Sequence, residues 1–133
     1  MEYESHPIAA WHHIISSRDV RAIDGLLADN VIFFSPVVHA PQLGKALASR
    51  YLHAAFDVFL NDTFRYVRDI IGINDAVLEF IVEIDGITIN GVDMFKWGDD
   101  GKITEFKVML RPLKGVNLIH QKMGEMLENM ARG

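Results

Sequence analysis

A carboxylate interrupts an otherwise apolar run at residues 90–97, NGVDMFKW. Val92, Met94, Phe95 and Trp97 suit a buried or half-buried strand, with Asp93 in their midst. An ionised carboxylate in an apolar wall is costly, so it is paired, hydrogen-bonded or kept neutral by a raised pKa. A neutral carboxylic acid facing a pocket can donate a hydrogen bond to a ligand oxygen and stabilise negative charge there. The plainer alternative is a structural acid that holds a helix end or a backbone N–H. Which one applies depends on the face of the strand that carries Asp93.

Alternation sorts the faces. After Asn61-Asp62 the apolar period is two, and TFRYVRDII, AVLEFIVEI, ITINGVDMFKW and KITEFKVML read as four strands. In the second, Leu78, Phe80, Val82 and Ile84 form one apolar face, opposite Val77, Glu79, Ile81 and Glu83. In the last, Phe106, Val108 and Leu110 point inward, with Glu105, Lys107 and Arg111 outward. If Phe95 and Trp97 face inward, parity takes Ile89, Gly91 and Asp93 with them and leaves Thr88, Asn90 and Lys96 outside. Asp93 is then the sole charge on that inner face.

The elements that must position it follow from local signals. Asp85-Gly86 is a tight-hairpin signal and GDDG (98–101) a slightly longer one, so these strands pair antiparallel. Upstream, Pro7 opens a helix in which Ile8, Trp11, Ile14 and Ile15 recur at helical spacing. Ser17 or Asp19 caps a second helix with Val20, Ile23, Leu26 and Leu27 as its stripe. NVIFFSPVV follows as a short strand, bent at Pro36. A third helix from about Gly44 carries Leu47, Tyr51, Ala54, Ala55, Val58 and Phe59 on its apolar side. A helix over about 116–130 closes the chain, with Val116, Ile119, Met123, Met126, Leu127 and Met130 as one stripe. That stripe suits core packing, a dimer clasp or a lid over a pocket. The expectation is one α+β domain over residues 1–133, with helices on one face of a bent antiparallel sheet.

Composition removes several function classes. Half of the 133 residues are hydrophobic and 23% charged, as in a compact globular domain. A net charge of −5 without a basic cluster argues against nucleic acid as partner. The absence of cysteine excludes thiol nucleophiles and disulfides, and is compatible with a reducing cytoplasm. MEYESHPIAAWHH lacks the basic end and apolar run of a leader, and no apolar run is long enough for a bilayer. The expected location is therefore cytoplasmic, without membrane association. The six histidines show no ligand spacing, and no Gly-rich phosphate loop is present, so neither metal nor cofactor is expected.

Element order and local strings resemble the nuclear transport factor 2-like superfamily in its SnoaL-like branch, and ketosteroid isomerase within it. SSRDVRAIDGLLADNVIFFSPV resembles that enzyme's helix–helix–strand opening, and GVDMFKWGDDGKITEFKVML its penultimate strand, turn and final strand. The resemblance implies a cone in which a curved antiparallel sheet wraps around N-terminal helices and encloses an apolar pocket, here with an extra C-terminal helix. It also implies a homodimer through the outer sheet face. Asp93 matches the isomerase's protonated oxyanion-hole aspartate, a system that serves as a general example of a carboxylic acid kept neutral. Trp11 stands at the place of its oxyanion-hole tyrosine, Ser35 at that of its general-base aspartate, and Tyr51 at a pocket wall. Phe80, Val82, Phe95, Phe106 and Val108 would complete the lining.

A serine without a partner cannot shuttle a carbon-bound proton at neutral pH, so the isomerase's own mechanism is not expected. His39, just after the Ser35 strand, is the candidate proton acceptor, ranked above His53. The resulting reading is a pocket for a small apolar carbonyl or hydroxyl compound, bound or converted in an isomerase-, cyclase- or dehydratase-like way. A non-catalytic homodimeric binding or assembly module is the alternative.

Overall fold

The computed structural model describes residues 5–132. Residues 1–4, the start of the stretch read above as lacking a leader, and Gly133 lie outside the described residues. Ten elements follow one another: α1 (Ile8–Ser17), a 3-10 helix (Val20–Leu26), β1 (Leu27–Phe34), β2 (Gln42–Leu43), α2 (Lys45–Phe59), β3 (Arg65–Ile71), β4 (Asp75–Ile84), β5 (Ile87–Trp97), β6 (Ile103–Arg111) and α3 (Leu113–Arg132). The six strands form one curved, open sheet in the order β2-β1-β6-β5-β4-β3. This is the α+β architecture expected, with a C-terminal helix added.

The long strands β3 to β6 pair antiparallel in sequence order, as their short turns require. Asp85 and Gly86 both take positive φ, 51° and 79°, which is the backbone of the two-residue hairpin that Asp-Gly favours. One pair departs from the antiparallel expectation: β1 lies parallel to β6, with Phe33 opposite Phe106. Their connection spans most of the chain, so no turn dictates their sense. The short β2 pairs antiparallel with β1 through Ile32–Leu43 and Phe33–Gln42.

The inner sheet face carries the core. Leu78, Phe80, Val82 and Ile84 of β4 are buried, as are Ile89, Phe95 and Trp97 of β5. α1 lays Ile8, Trp11, Ile14 and Ile15 against this face. On α2 the buried stripe is Ala48, Leu52, Ala54, Phe56 and Phe59, while Leu47 is 37% exposed. The stripe expected from Leu47 and Tyr51 is therefore rotated; Leu52 and Phe56 are the residues that reach the core beneath Trp11 and Phe33. The segment after Ser17 winds as a 3-10 helix, which tightens the turn into β1.

α3 packs on its own chain. Gly115, Ile119 and Met123 are buried in a cluster with Ala54, Phe59, Val82, Ile84 and Ile89, and Met126, Leu127 and Met130 flank it. A Cβ at Gly115 would press on Ile89 Cγ1 at 2.9 Å, so a glycine there lets the helix approach β5. Among the described residues, no helix is long and apolar enough to cross a membrane.

Candidate functional site

Parity on β5 carries Asp93 to the inner face. Gly91, Asp93 and Phe95 stand opposite Leu110, Val108 and Phe106 of β6, and opposite Phe80, Leu78 and Ala76 of β4. Asp93 is 6% exposed and is the sole buried charged residue among the described residues. Its carboxyl borders a cavity of about 40 Å³ between sheet and helices. Trp11 and Ile15 of α1, Phe56 and Phe59 of α2, and Phe80, Phe106 and Val108 of the sheet are part of its wall.

Asp93 is held by a short chain of donors. Trp11 Nε1–H donates to Tyr66 Oη at 2.9 Å, and Tyr66 O–H donates to Asp93 Oδ2 at 2.6 Å. The direction is set at one end, because an indole N–H can only donate. With Tyr66 Oη accepting from Trp11, its own proton is free for Asp93. Oδ2 is thereby an acceptor, and Oδ1, which makes no hydrogen bond among the described residues, is the oxygen left to carry the acid proton.

Burial pushes the Asp93 carboxyl up to about 7, while the hydrogen bond from Tyr66 pulls the other way. Burial also raises the Tyr66 phenol well above its ordinary range, and the neighbouring Asp93 charge adds to the rise. The phenol therefore stays protonated and remains a donor at any ordinary pH.

The chain of donors depends on packing from both sides. Trp11 sits edge-on to Phe95 at 4.9 Å between ring centroids and against Phe106 at 5.1 Å, which fixes its indole. Tyr66 is held by Phe64 at 5.1 Å and by His12 at 5.6 Å. His12 is half-buried on α1 and its Nε2 lies 3.2 Å from Asp69 Oδ2, a second acid on the Tyr66 side of β3. A Cβ on Gly91 would run into the Phe80 ring and Leu110, so glycine at this position leaves room for the aromatic wall beside Asp93.

The expected site residues divide into two groups. Trp11, Asp93, Phe80, Phe106 and Val108 meet at the cavity. Phe95 is buried behind Trp11, and Val82 lies in the α3 cluster, so neither lines it. Tyr51 is half-buried against Phe33, at 5.9 Å between centroids, and makes no hydrogen bond to Asp93. Tyr51 therefore does not line the cavity as expected, and the phenol that meets Asp93 is Tyr66.

Ser35 and His39 lie in a separate, open groove with Phe34, Pro36, Lys107 and Met109. Ser35 Oγ accepts from Val37 N–H at 3.2 Å, a turn contact, and His39 is exposed. Val108 alone borders both hollows. His39 therefore does not border the cavity that Asp93 lines, which corrects its expected place as the proton acceptor: the loop between Pro36 and Pro41 holds it, exposed, in the separate groove. His53 faces Asp24 at 3.4 Å on the outer side of α2. No group of three or more potential metal ligands gathers among the described residues.

The comparison with known families bears on a site of this shape. A family model described as the SnoaL-like domain matches residues 8–106. The chain belongs to the SnoaL-like family. No curated protein matches this SnoaL-like chain. Among solved structures it is similar to a steroid delta-isomerase from Pseudomonas aeruginosa, at 32% identity over 96% of this chain and 93% of that one, with a TM-score of 0.90. It is also similar to an uncharacterised protein with a cystatin-like fold from Silicibacter pomeroyi, at 27% identity over 99% and 94% of the two chains, TM-score 0.89. The epoxide hydrolase/cyclase-like enzyme SalBIII, associated with pyran ring formation in salinomycin, shares the fold at 18% identity over 79% and 88%, TM-score 0.63. A ligand-binding or isomerase-like role is consistent with these SnoaL-like relations.

Proposed function

We propose that the cavity binds a small apolar compound through one carbonyl or hydroxyl oxygen, which accepts a hydrogen bond from the protonated Oδ1 of Asp93. The observation that carries this reading is the buried acid itself. It borders an otherwise apolar cavity, has one oxygen occupied by Tyr66, and keeps its proton up to about pH 7. A donor placed in such a water-poor site also stabilises negative charge as it develops on the ligand oxygen, in an isomerase-, cyclase- or dehydratase-type step. The likeness to a steroid delta-isomerase supports that reaction class. Trp11 has a different part from a direct oxyanion donor: its N–H is already given to Tyr66, and it acts on the ligand through Tyr66 and Asp93.

Planar phenols and small cyclic ketones, read by calorimetry, test this. Asp93→Asn keeps shape and a donor but loses the acid, and should weaken binding by about 1–3 kcal/mol. Asp93→Ala should weaken it further, since Tyr66 then loses its acceptor. If no such compound binds the wild-type protein, or if it binds both variants as tightly, the reading fails.

A second reading is favoured by one feature. Among the described residues, the cavity wall contains no titratable group besides Asp93 and Tyr66, so a two-group acid–base mechanism finds no second member among them. That suits a binding module without turnover. Partly exposed Ile81, Val92 and Met94, with Met109 52% exposed, make the outer sheet face its homodimer surface.

A further inference from the structure

The cavity of about 40 Å³ is smaller than the roughly 150 Å³ in which an apolar protein site takes up a benzene ring. A ring-bearing ligand can therefore reach Asp93 only if part of the wall moves. Among the described residues, twelve of the wall sit in helices or long strands; the two that do not are Leu60 and Phe64, at either end of the link between α2 and β3.

That link is tied down by contacts water can replace. Arg18 Nη2 donates to Asn61 O at 3.2 Å from the end of α1. Asn61 Nδ2 donates to Glu83 O at 2.9 Å, and Glu83 N–H donates to Thr63 Oγ1 at 2.9 Å. All three are exposed, where a hydrogen bond exchanged with water contributes little net stability. Phe64 itself is half-buried, stacked on Phe80 at 5.1 Å with 27° between the ring planes. It covers the side of the cavity next to Tyr66.

We infer that Phe64, carried on the Leu60–Phe64 strap, is the movable wall of the cavity and sets the largest ligand that can reach Asp93. The inference rests on the binding role proposed for Asp93 and adds the determinant of ligand size. Phe64 leaving Phe80 opens space directly beside the Tyr66–Asp93 pair, so a larger ligand enters with its oxygen already at the donor. The Asn61–Glu83 contacts act as the hinge, and Arg18 as the latch on the α1 side.

Phenol, 2-naphthol and 9-phenanthrol form a graded probe series, with affinities measured by calorimetry on wild type, Phe64→Leu and Phe64→Ala. Wild type should bind phenol best and 9-phenanthrol weakest. Phe64→Ala should gain at least about tenfold for 9-phenanthrol relative to phenol, the scale of effect a change in apolar pocket size produces, and Phe64→Leu should fall between. Arg18→Gln, which alters no wall residue, should speed phenol association in stopped-flow measurements while leaving the size ranking unchanged. If Phe64→Ala folds poorly, the Phe64→Leu shift alone decides. A size ranking that is the same in all folded variants overturns the inference while leaving Asp93 as the donor, provided that Asp93→Asn still weakens phenol. Failure of every phenol to bind wild type and Phe64 variants alike overturns both.

Discussion

At the scale of single residues, the consequential fact is that Asp93 holds its proton where most carboxyls have lost theirs. Its folded pKa is raised from 3.8 to about 7, so between about pH 4 and 7 the folded state binds more protons than the unfolded chain. Stability from this group is therefore fully present below about pH 4, is lost as pH rises to about 7, and changes no further above it. The whole shift corresponds to roughly 4 kcal/mol. Asn at the same position has no such slope. The stability of Asp93→Asn relative to wild type should accordingly improve by a few kcal/mol between pH 4 and pH 8 in urea titrations. Parallel curves for the two proteins would mean that Asp93 titrates as an ordinary surface acid. The inward place of Asp93 was legible from parity with Phe95 and Trp97 alone. Tyr66 was not, because the β3–β4 register shifts between Tyr66 and Arg68. The shift puts both Tyr66 and Asp69 opposite inner-face residues of β4, three apart in sequence where simple alternation would separate their faces.

At the scale of elements, periodicity marked the four long strands and their turns, because one face is buried and the other is not. It served less well for α2, where small Ala48 and Ala54 lie deeper than Leu47, so hydrophobicity alone misplaces the stripe. It also gave no sign of the parallel β1–β6 pairing, a contact between distant parts of the chain. The Met-rich stripe of α3 was compatible with core, clasp or lid, and its packing selects among them. Ile119 is fully buried against Ala54, Val82 and Ile89, and no α3 residue borders the cavity. Ile119→Ala should therefore cost about 2–5 kcal/mol of stability, the usual range for emptying a buried aliphatic site. It should leave phenol affinity of the folded protein nearly unchanged. A detachable lid predicts the reverse, with little loss in denaturant titration and a clear change in binding.

At the scale of the whole molecule, the outer sheet face has features that folding of one chain does not use. Val92 lies between Glu79 and Met109 across three strands, and Met94 between Val77 and Lys107. These rows put apolar side chains at the centre and charges of both signs beside them, the composition of a moderate interface rather than of a purely solvated surface. Arg68–Glu79 at 3.3 Å and Lys96–Glu105 at 3.9 Å pair charges within the chain on the same side, so Glu79 and Glu105 are balanced locally on this face although the molecule as a whole carries −5. If this face joins two copies, sedimentation at tens of micromolar, roughly where weak dimers become visible, should show a dimer. Met109→Glu should return it to monomer, because a carboxylate at a half-exposed apolar position costs little in the free chain but must be desolvated in the interface. Phenol binding in that monomer should persist, since every donor in the Trp11–Tyr66–Asp93 chain comes from one copy. A wild-type protein that sediments only as monomer would remove the outer face from the account and leave the cavity reading untouched. Loss of binding on dissociation would instead show that the second copy holds the sheet in the curvature that keeps Asp93 dry.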